Sequence, residues 1–123
     1  MNSDMSLHSK ERAGRITTHV LDTAAGLPAA GMAIELHRSE EGQWRNLGRF
    51  ATNADGRCNS PLLEGKAMQA GLYEIIFHVG EWRRDRPGFY DTIPIRFSIT
   101  DPGAHHHVPL ILSPFGYSTY KGS

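Results

Sequence analysis

The sequence predicts an all-β sandwich with one short helix. Apolar and polar residues alternate in many short stretches along the 123-residue chain, which is the pattern of strands that bury one face. Turn formers such as Gly, Pro, Asn and Asp separate these stretches at regular intervals. Roughly seven or eight short strands with regularly spaced turns indicate a β-sandwich. The pattern alone leaves the order of the strands in the two sheets open.

The first half of the chain is predicted to hold three strands: 15–21, 32–37 and 44–52. In the first of them Ile16 and Val20 share one face, while Thr17 and His19 share the other. Loops or turns rich in Gly, Pro, Asn and Asp follow at 24–28, 40–42 and 53–56. The third of these is a strong turn signal, and it places Arg57 directly after the turn.

The second half of the chain begins with a stretch, 58–70, whose pattern is ambiguous. A short helical turn is expected within 62–68, although Gly65 weakens it. The stretch 81–86 lacks β patterning and stops at Pro87, so we predict the one short helix there. Apolar alternation predicts the four remaining strands: 72–79, 92–100, 107–112 and 115–120.

Length and composition exclude several classes of protein. We expect one domain at 14–123, preceded by a polar, non-periodic lead at 1–13 that is predicted to be disordered. The formal net charge is zero and Lys and Arg form no long run, so no nucleic-acid partner is expected. A single cysteine, Cys58, excludes an internal disulfide framework. Without a secretory apolar segment or a membrane-length apolar run, we expect a cytoplasmic protein that does not enter a membrane.

Three motifs stand out along these predicted strands and turns: ITTHVLDT at 16–23 with Gly26 and Pro28-Ala29 after it, DGR at 55–57, and HHHVPLILSPFGYSTYKGS at 105–123. The two long motifs resemble the N-terminal and C-terminal signatures of the 5-hydroxyisourate hydrolases, the transthyretin-like enzymes of urate breakdown. Arg57 falls where that family keeps its active-site arginine. The resemblance runs from about Gly14 to Ser123, nearly the whole chain.

The resemblance implies a fold, an assembly and an activity. The fold is the transthyretin-like sandwich of two four-stranded sheets, and the assembly is a homotetramer built as a dimer of dimers. The activity is hydrolysis of 5-hydroxyisourate to 2-oxo-4-hydroxy-4-carboxy-5-ureidoimidazoline in urate catabolism, without a cofactor or metal. The implied catalytic set is His19, Arg57, His107 and Ser123. The implied substrate-binding and interface residues are Tyr120, Lys121 and Gly122.

The chemistry of a cyclic amide gives these residue types a reason to be together. Water needs a base before it attacks the ring carbonyl, and the leaving nitrogen needs an acid; histidine can serve as either near neutral pH. The planar guanidinium of Arg57 can hold the oxygens of a flat oxidised purine and stabilise an oxyanion. Taken one at a time, His19 and His107 would be ordinary surface histidines, and Arg57 a member of a surface ion pair.

Several alternatives stay open at this point. Lys121 stands where the family keeps an arginine; it keeps the charge and loses the bidentate geometry. His105, His107 and His19 could in principle form a three-histidine metal site, but no fourth ligand is evident. His106 stands where many relatives have tyrosine and receives no role.

The fold is also compatible with a second function, a non-enzymatic carrier of transthyretin type that holds a small aromatic ligand. A carrier has no chemical need for His19, His107, Arg57 and the C-terminal tetrad, residues 120–123. Because a domain this small has no deep cleft of its own, we expect an enzyme site of this kind to be completed by another subunit.

Overall fold

Nine strands, one α-helix and one 3-10 helix make up the protein in a computed structural model that describes residues 13–123. In chain order they are β1 (Arg15–Asp22), β2 (Leu27–Pro28), β3 (Ala33–Glu40), β4 (Gln43–Ala51), β5 (Leu63–Glu64), the 3-10 helix (Gly65–Ala67), β6 (Gly71–His78), α1 (Val79–Arg83), β7 (Thr92–Ile99), β8 (His105–Ser113) and β9 (Gly116–Thr119). The predicted disordered lead, 1–13, falls outside the described residues except for Ala13. Neither helix of residues 13–123 is long and apolar enough to cross a membrane.

The strands form two sheets, as the predicted sandwich requires. One sheet has the order β4-β3-β6-β7, and all its neighbours are antiparallel. The other has the order β2-β1-β8-β9, and β5 also pairs with β1. Because β8 runs parallel to the whole of β1, the two-residue strands β2 and β5 share the opposite edge of β1. This second sheet therefore has five strands instead of the predicted four.

The core lies between the inner faces of the two sheets, and alternation along each strand fills it. In β1 every second residue from Ile16 onward is buried, and in β8 Val108, Leu110 and Leu112 are buried. From the other sheet, the largest fully buried side chains are those of Tyr73 and Phe77. Burying such a side chain contributes on the order of 1.5–3 kcal/mol. The pairing of β1 with β8 is therefore fixed in register by two buried faces.

Several predicted boundaries differ from the structure. The strand predicted at 32–37 is β3, which continues to Glu40. The helix predicted at 81–86 begins two residues earlier, at Val79, because that side chain is buried in the core and continues the inward face of β6. It ends at Arg83, since Arg84 takes a positive φ of 56°. The loop predicted at 24–28 contains β2, whose two residues pair with the end of β1. The short helical turn predicted near 62–68 is confirmed as the 3-10 helix.

Candidate active site

The outer face of the five-stranded sheet gathers the polar side chains of β1 and β8. In the parallel register Thr17 lies opposite His107, and Arg15 lies opposite His105. Since alternate residues of a strand point to the same side, Thr17 and His19 share the outer face with His105 and His107. His19, Thr17 and His107 are half-buried, and His105 is exposed. The two predicted catalytic histidines thus lie on one surface.

A tight turn brings Arg57 to the free edge of β1, between the places where β5 and β2 pair. Arg57 forms an isolated antiparallel bridge with His19, and the Val20 amide donates to the Gly56 carbonyl over 2.8 Å. Asn53 closes the turn: its side-chain oxygen accepts from the amides of Asp55 and Arg57 at 2.9 and 3.2 Å. Gly56 is required, because its φ is 73° and a Cβ atom there would lie 2.4 Å from the Val20 oxygen.

The C-terminal tail returns to the same face beside β8. The Gly122 amide donates to the His107 carbonyl over 2.8 Å, and the two residues form an isolated bridge. A Cβ atom on Gly122 would come within 2.5 Å of Cδ2 in the His107 ring. Only glycine lets the tail pack this closely against the imidazole, and the contact leads the chain to Ser123 at the edge of the cleft.

These elements surround a cleft of about 410 Å³. Its lining combines two arginines, two histidines, the cysteine, several hydroxyl and amide side chains, a proline and the C-terminal residue: Arg15, Thr17, Thr18, Arg57, Cys58, Asn59, Ser60, Pro61, His105, His107 and Ser123. Most of these residues are exposed. The cleft is therefore polar, rich in hydrogen-bond donors and open on the surface of the single chain.

Electrostatics keep the site histidines in their neutral form. Burial, and then the Arg57 cation, lower the pKa of His19 below its ordinary value of 6.5, while the backbone and charge of Asp55 act weakly in the opposite direction. Burial also lowers the pKa of His107, followed by the charges of Arg57, His105 and His19. Both imidazoles are therefore neutral at neutral pH and can accept a proton.

The proposed three-histidine metal site does not form in this arrangement. Within residues 13–123, no three His, Cys, Asp or Glu side chains are placed so that they could hold a metal ion. His105 instead bonds the Thr17 hydroxyl through Nε2 at 2.7 Å. His106 turns to the inner face, is buried, and bonds the Asp101 carbonyl at 2.9 Å.

The structure divides the predicted site residues between the cleft and a second groove. Arg57, His107 and Ser123 line the cleft. His19 and Gly122 are not among its lining residues; their backbones form isolated bridges with Arg57 and His107, respectively. The other two predicted residues, Tyr120 and Lys121, line a separate groove of about 340 Å³ with residues of β7 and β8. Their proposed contacts with substrate or subunits stay predictions.

Sequence reasoning missed Thr17, whose hydroxyl lies 2.8 Å from Nδ1 of His107. The alternation of β1 already placed Thr17 on the face of His19. Its contact with His107, however, depends on a pairing between residues ninety positions apart. Asn53 was part of a predicted turn, but nothing in the sequence indicated that it would orient the amide of Arg57.

Comparison with known proteins places the chain in a family. The model of the HIUase/Transthyretin family matches residues 16–122. The 5-hydroxyisourate hydrolase of Mesorhizobium japonicum is 49% identical over 125 residues, which cover 97% of this chain and 100% of the relative.

Two solved structures are also similar. The structure of Klebsiella pneumoniae 5-hydroxyisourate hydrolase has a TM-score of 0.76 and 34% identity, and the match covers 89% of this chain and 99% of that one. The crystal structure of (S)-allantoin synthase has a TM-score of 0.82 and 45% identity; the match covers 90% of this chain and only 44% of that longer chain. Sequence and fold agree across almost the whole length, and the chain therefore belongs to the HIUase/transthyretin family.

Proposed function

We propose that this protein hydrolyses 5-hydroxyisourate, opening its six-membered ring to 2-oxo-4-hydroxy-4-carboxy-5-ureidoimidazoline in urate catabolism. The observation that carries the proposal is the pair of histidines with lowered pKa, His19 and His107, on the same sheet face as Arg57. Relatives that share about half of its residues over nearly the full length are named 5-hydroxyisourate hydrolase, which supports the same activity here.

The reaction follows from groups that the chain itself supplies. A neutral histidine takes a proton from water while the water oxygen bonds to the ring carbonyl carbon. Arg57 donates to the carbonyl oxygen as it becomes negative. The carbon–nitrogen bond then breaks, and the leaving nitrogen receives a proton. Both histidines start neutral, so the imidazole that takes a proton from water is the source of the proton for the leaving nitrogen. The proton of water therefore ends on that nitrogen, and the histidines return to their neutral form.

We further propose that the working form is a homotetramer, a dimer of dimers, in which another subunit covers the cleft. Most lining residues of the cleft are exposed in the single chain, whereas small-molecule sites bury most of their ligand. Near the tail, Phe115 is 70% exposed and Tyr120 is 57% exposed. Exposed aromatic side chains are enriched at surfaces that contact another protein. The cytoplasmic location stays a prediction.

The proposed activity is tested by the ultraviolet absorbance of freshly made 5-hydroxyisourate. Added protein should speed the loss of this compound in proportion to its concentration. Exhaustive dialysis against a chelator should leave the rate unchanged, since no step needs a metal. Saturable binding of the compound with no faster decay would refute the hydrolase and favour the carrier of a small aromatic ligand.

The proposed assembly is tested by light scattering and kinetics on a chain truncated after Thr119. We expect the wild-type protein to scatter as a tetramer and the truncated chain to lose activity while keeping the circular dichroism of a β protein. A fully active truncation, or a wild-type protein active as a monomer, would refute the shared site.

A further inference from the structure

One hydroxyl connects two histidines on the outer face of the sheet. Thr17 Oγ1 lies 2.8 Å from Nδ1 of His107 and 2.7 Å from Nε2 of His105. Both distances are in the range of hydrogen bonds between a hydroxyl and an imidazole nitrogen. These two hydrogen bonds, which join Thr17 to His105 and to His107, are called the bridge. The parallel register of β1 and β8 produces it, because Thr17 lies opposite His107, two residues after His105. The rings of the two histidines are 6.0 Å apart, so Thr17 is the link between them.

The bridge couples the proton positions of the two rings. A threonine hydroxyl has one proton to donate and lone pairs that accept, whereas a neutral imidazole has one donor nitrogen and one acceptor nitrogen. Thr17 can therefore donate to only one ring at a time. If it donates to His105, then Nδ1 of His107 carries a proton and donates to Thr17. If it donates to His107, then Nδ1 of His107 is bare and the proton of that ring lies on Nε2.

Only one of these states makes His107 a base toward the substrate. Nδ1 is engaged by Thr17, so Nε2 is the nitrogen of His107 that remains to take a proton from water. Nε2 has a free lone pair only when Nδ1 carries the proton. That state requires a bare Nε2 on His105 to accept the Thr17 hydroxyl proton. When His105 is protonated, both of its nitrogens are donors. Thr17 must then accept from His105 and donate to Nδ1 of His107, and the proton of a neutral His107 lies on Nε2.

We propose that Thr17 is a positioning residue that transmits the protonation of His105 to His107, so that His107 presents a bare Nε2 only while His105 is neutral. The inference relies on the proposed hydrolysis for its kinetic consequence alone. The arrangement in which both rings donate to Thr17 leaves the hydroxyl proton without a partner in the bridge and is disfavoured for that reason.

The charges around the bridge favour the neutral state of both rings. Burial lowers the pKa of His105, and the charges of Arg15 and His106 lower it further. On the His107 side, the groups that lower the pKa after burial are Arg57, His105 and His19. Ser123 also lines the cleft. His105 is the exposed member of the bridge, so it exchanges protons with solvent directly.

The bridge is tested first in the protein alone, by ¹⁵N NMR of histidine-labelled samples at a pH where both rings are neutral. In the wild type, Nδ1 of His107 should carry the proton in a measurable share of the molecules, and this share should vanish as His105 becomes protonated. Thr17→Val removes the hydroxyl at nearly constant volume and should shift the proton of His107 toward Nε2. Thr17→Ser keeps the hydroxyl and should restore the wild-type pattern. An Nδ1 proton that stays on neutral His107 once His105 is protonated, or that Thr17→Val leaves unchanged, would overturn the inference.

Kinetics on 5-hydroxyisourate form the second test. Thr17→Val should lower kcat by roughly 10–100-fold and change KM by less than about threefold, because a misdirected base acts on the chemical step. Thr17→Ser should recover the rate to within about threefold. The matched control is Thr23→Val, which removes a hydrogen bond of 2.8 Å to the Leu112 carbonyl on the same sheet and touches no histidine. An unchanged kcat in Thr17→Val, or an equal loss in Thr23→Val, would refute the role of Thr17.

His105→Gln distinguishes transmission from simple positioning. Glutamine can still accept from Thr17 and cannot be protonated near neutral pH. On the acid side of the pH profile, the slope of log kcat against pH should therefore be smaller in this variant than in the wild type. The same slope in both proteins would refute the part assigned to His105. If the protein shows the predicted histidine protonation and does not hydrolyse 5-hydroxyisourate, the proposed function fails and the bridge stands.

Discussion

Gly122→Ala is expected to lower turnover, because it forces apart the tail and the ring of His107. The new Cβ atom would lie 2.5 Å from Cδ2 and 3.1 Å from Cγ of that ring. Ordinary van der Waals contact begins near 3.4 Å, so the ring or the tail must move by about 0.9 Å, the difference between 3.4 and 2.5 Å. A misplacement of about 1 Å at a reacting group can cost on the order of 10²-fold in rate. We expect kcat to fall by roughly 10–100-fold.

The assay is steady-state hydrolysis of 5-hydroxyisourate, with urea unfolding as a check on the fold. Gly122 lies outside the named strands and the buried core, so the free energy of unfolding should change by less than about 1 kcal/mol. Gly116→Ala is the matched control in the same C-terminal segment, since its Cβ atom would meet only the Ser113 hydroxyl oxygen, at 3.5 Å. A normal kcat in Gly122→Ala, or the same loss in Gly116→Ala, would refute the close packing of the tail on His107.

Three further outcomes are expected. Arg57→Gln removes a charge that lowers the pKa of His19 and His107, so both values should rise toward 6.5 in an NMR titration; unchanged values would contradict the proximity of Arg57. Gly56→Ala should lower the free energy of unfolding by roughly 1–3 kcal/mol in urea titrations, because the residue has a positive φ and no room for a Cβ atom; a wild-type midpoint would contradict this. Lys121→Arg should keep kcat or raise it slightly, and a marked loss would show that lysine is required there.

The strands could be predicted because burial dictates their pattern. In β1 and β8 the alternation of apolar side chains reflects a core on one side only, and the burial of Ile16, Val20, Val108 and Leu110 confirms it. The short helix was harder to place. Val79 is apolar and continues the alternation of β6, so the sequence could not show that the backbone already turns into α1 at that residue.

The site could be predicted only in part, because its contacts join distant residues. The outer-face positions of His19 and His107 followed from alternation, but their position on one sheet depends on the parallel pairing of β1 with β8. Thr17 could not be assigned to His107 without that register. The motif at 120–123 is continuous in sequence, but Tyr120 and Lys121 line one groove and Ser123 lines the cleft, with His107 bordering both. The sequence could not show this division, because it depends on where the tail crosses β8.

The most direct test of the proposed catalysis is kcat for 5-hydroxyisourate in His19→Ala and His107→Ala, measured beside His37→Ala. His37 lies on the other sheet, in β3, where its ring bonds Glu35 at 3.1 Å, so it controls for the loss of a half-buried histidine. Loss of an acid or base should lower kcat by roughly 10²–10⁴-fold in each of the first two variants and leave His37→Ala near the wild type. Near-wild-type turnover in His19→Ala or His107→Ala would contradict the catalytic role of that histidine.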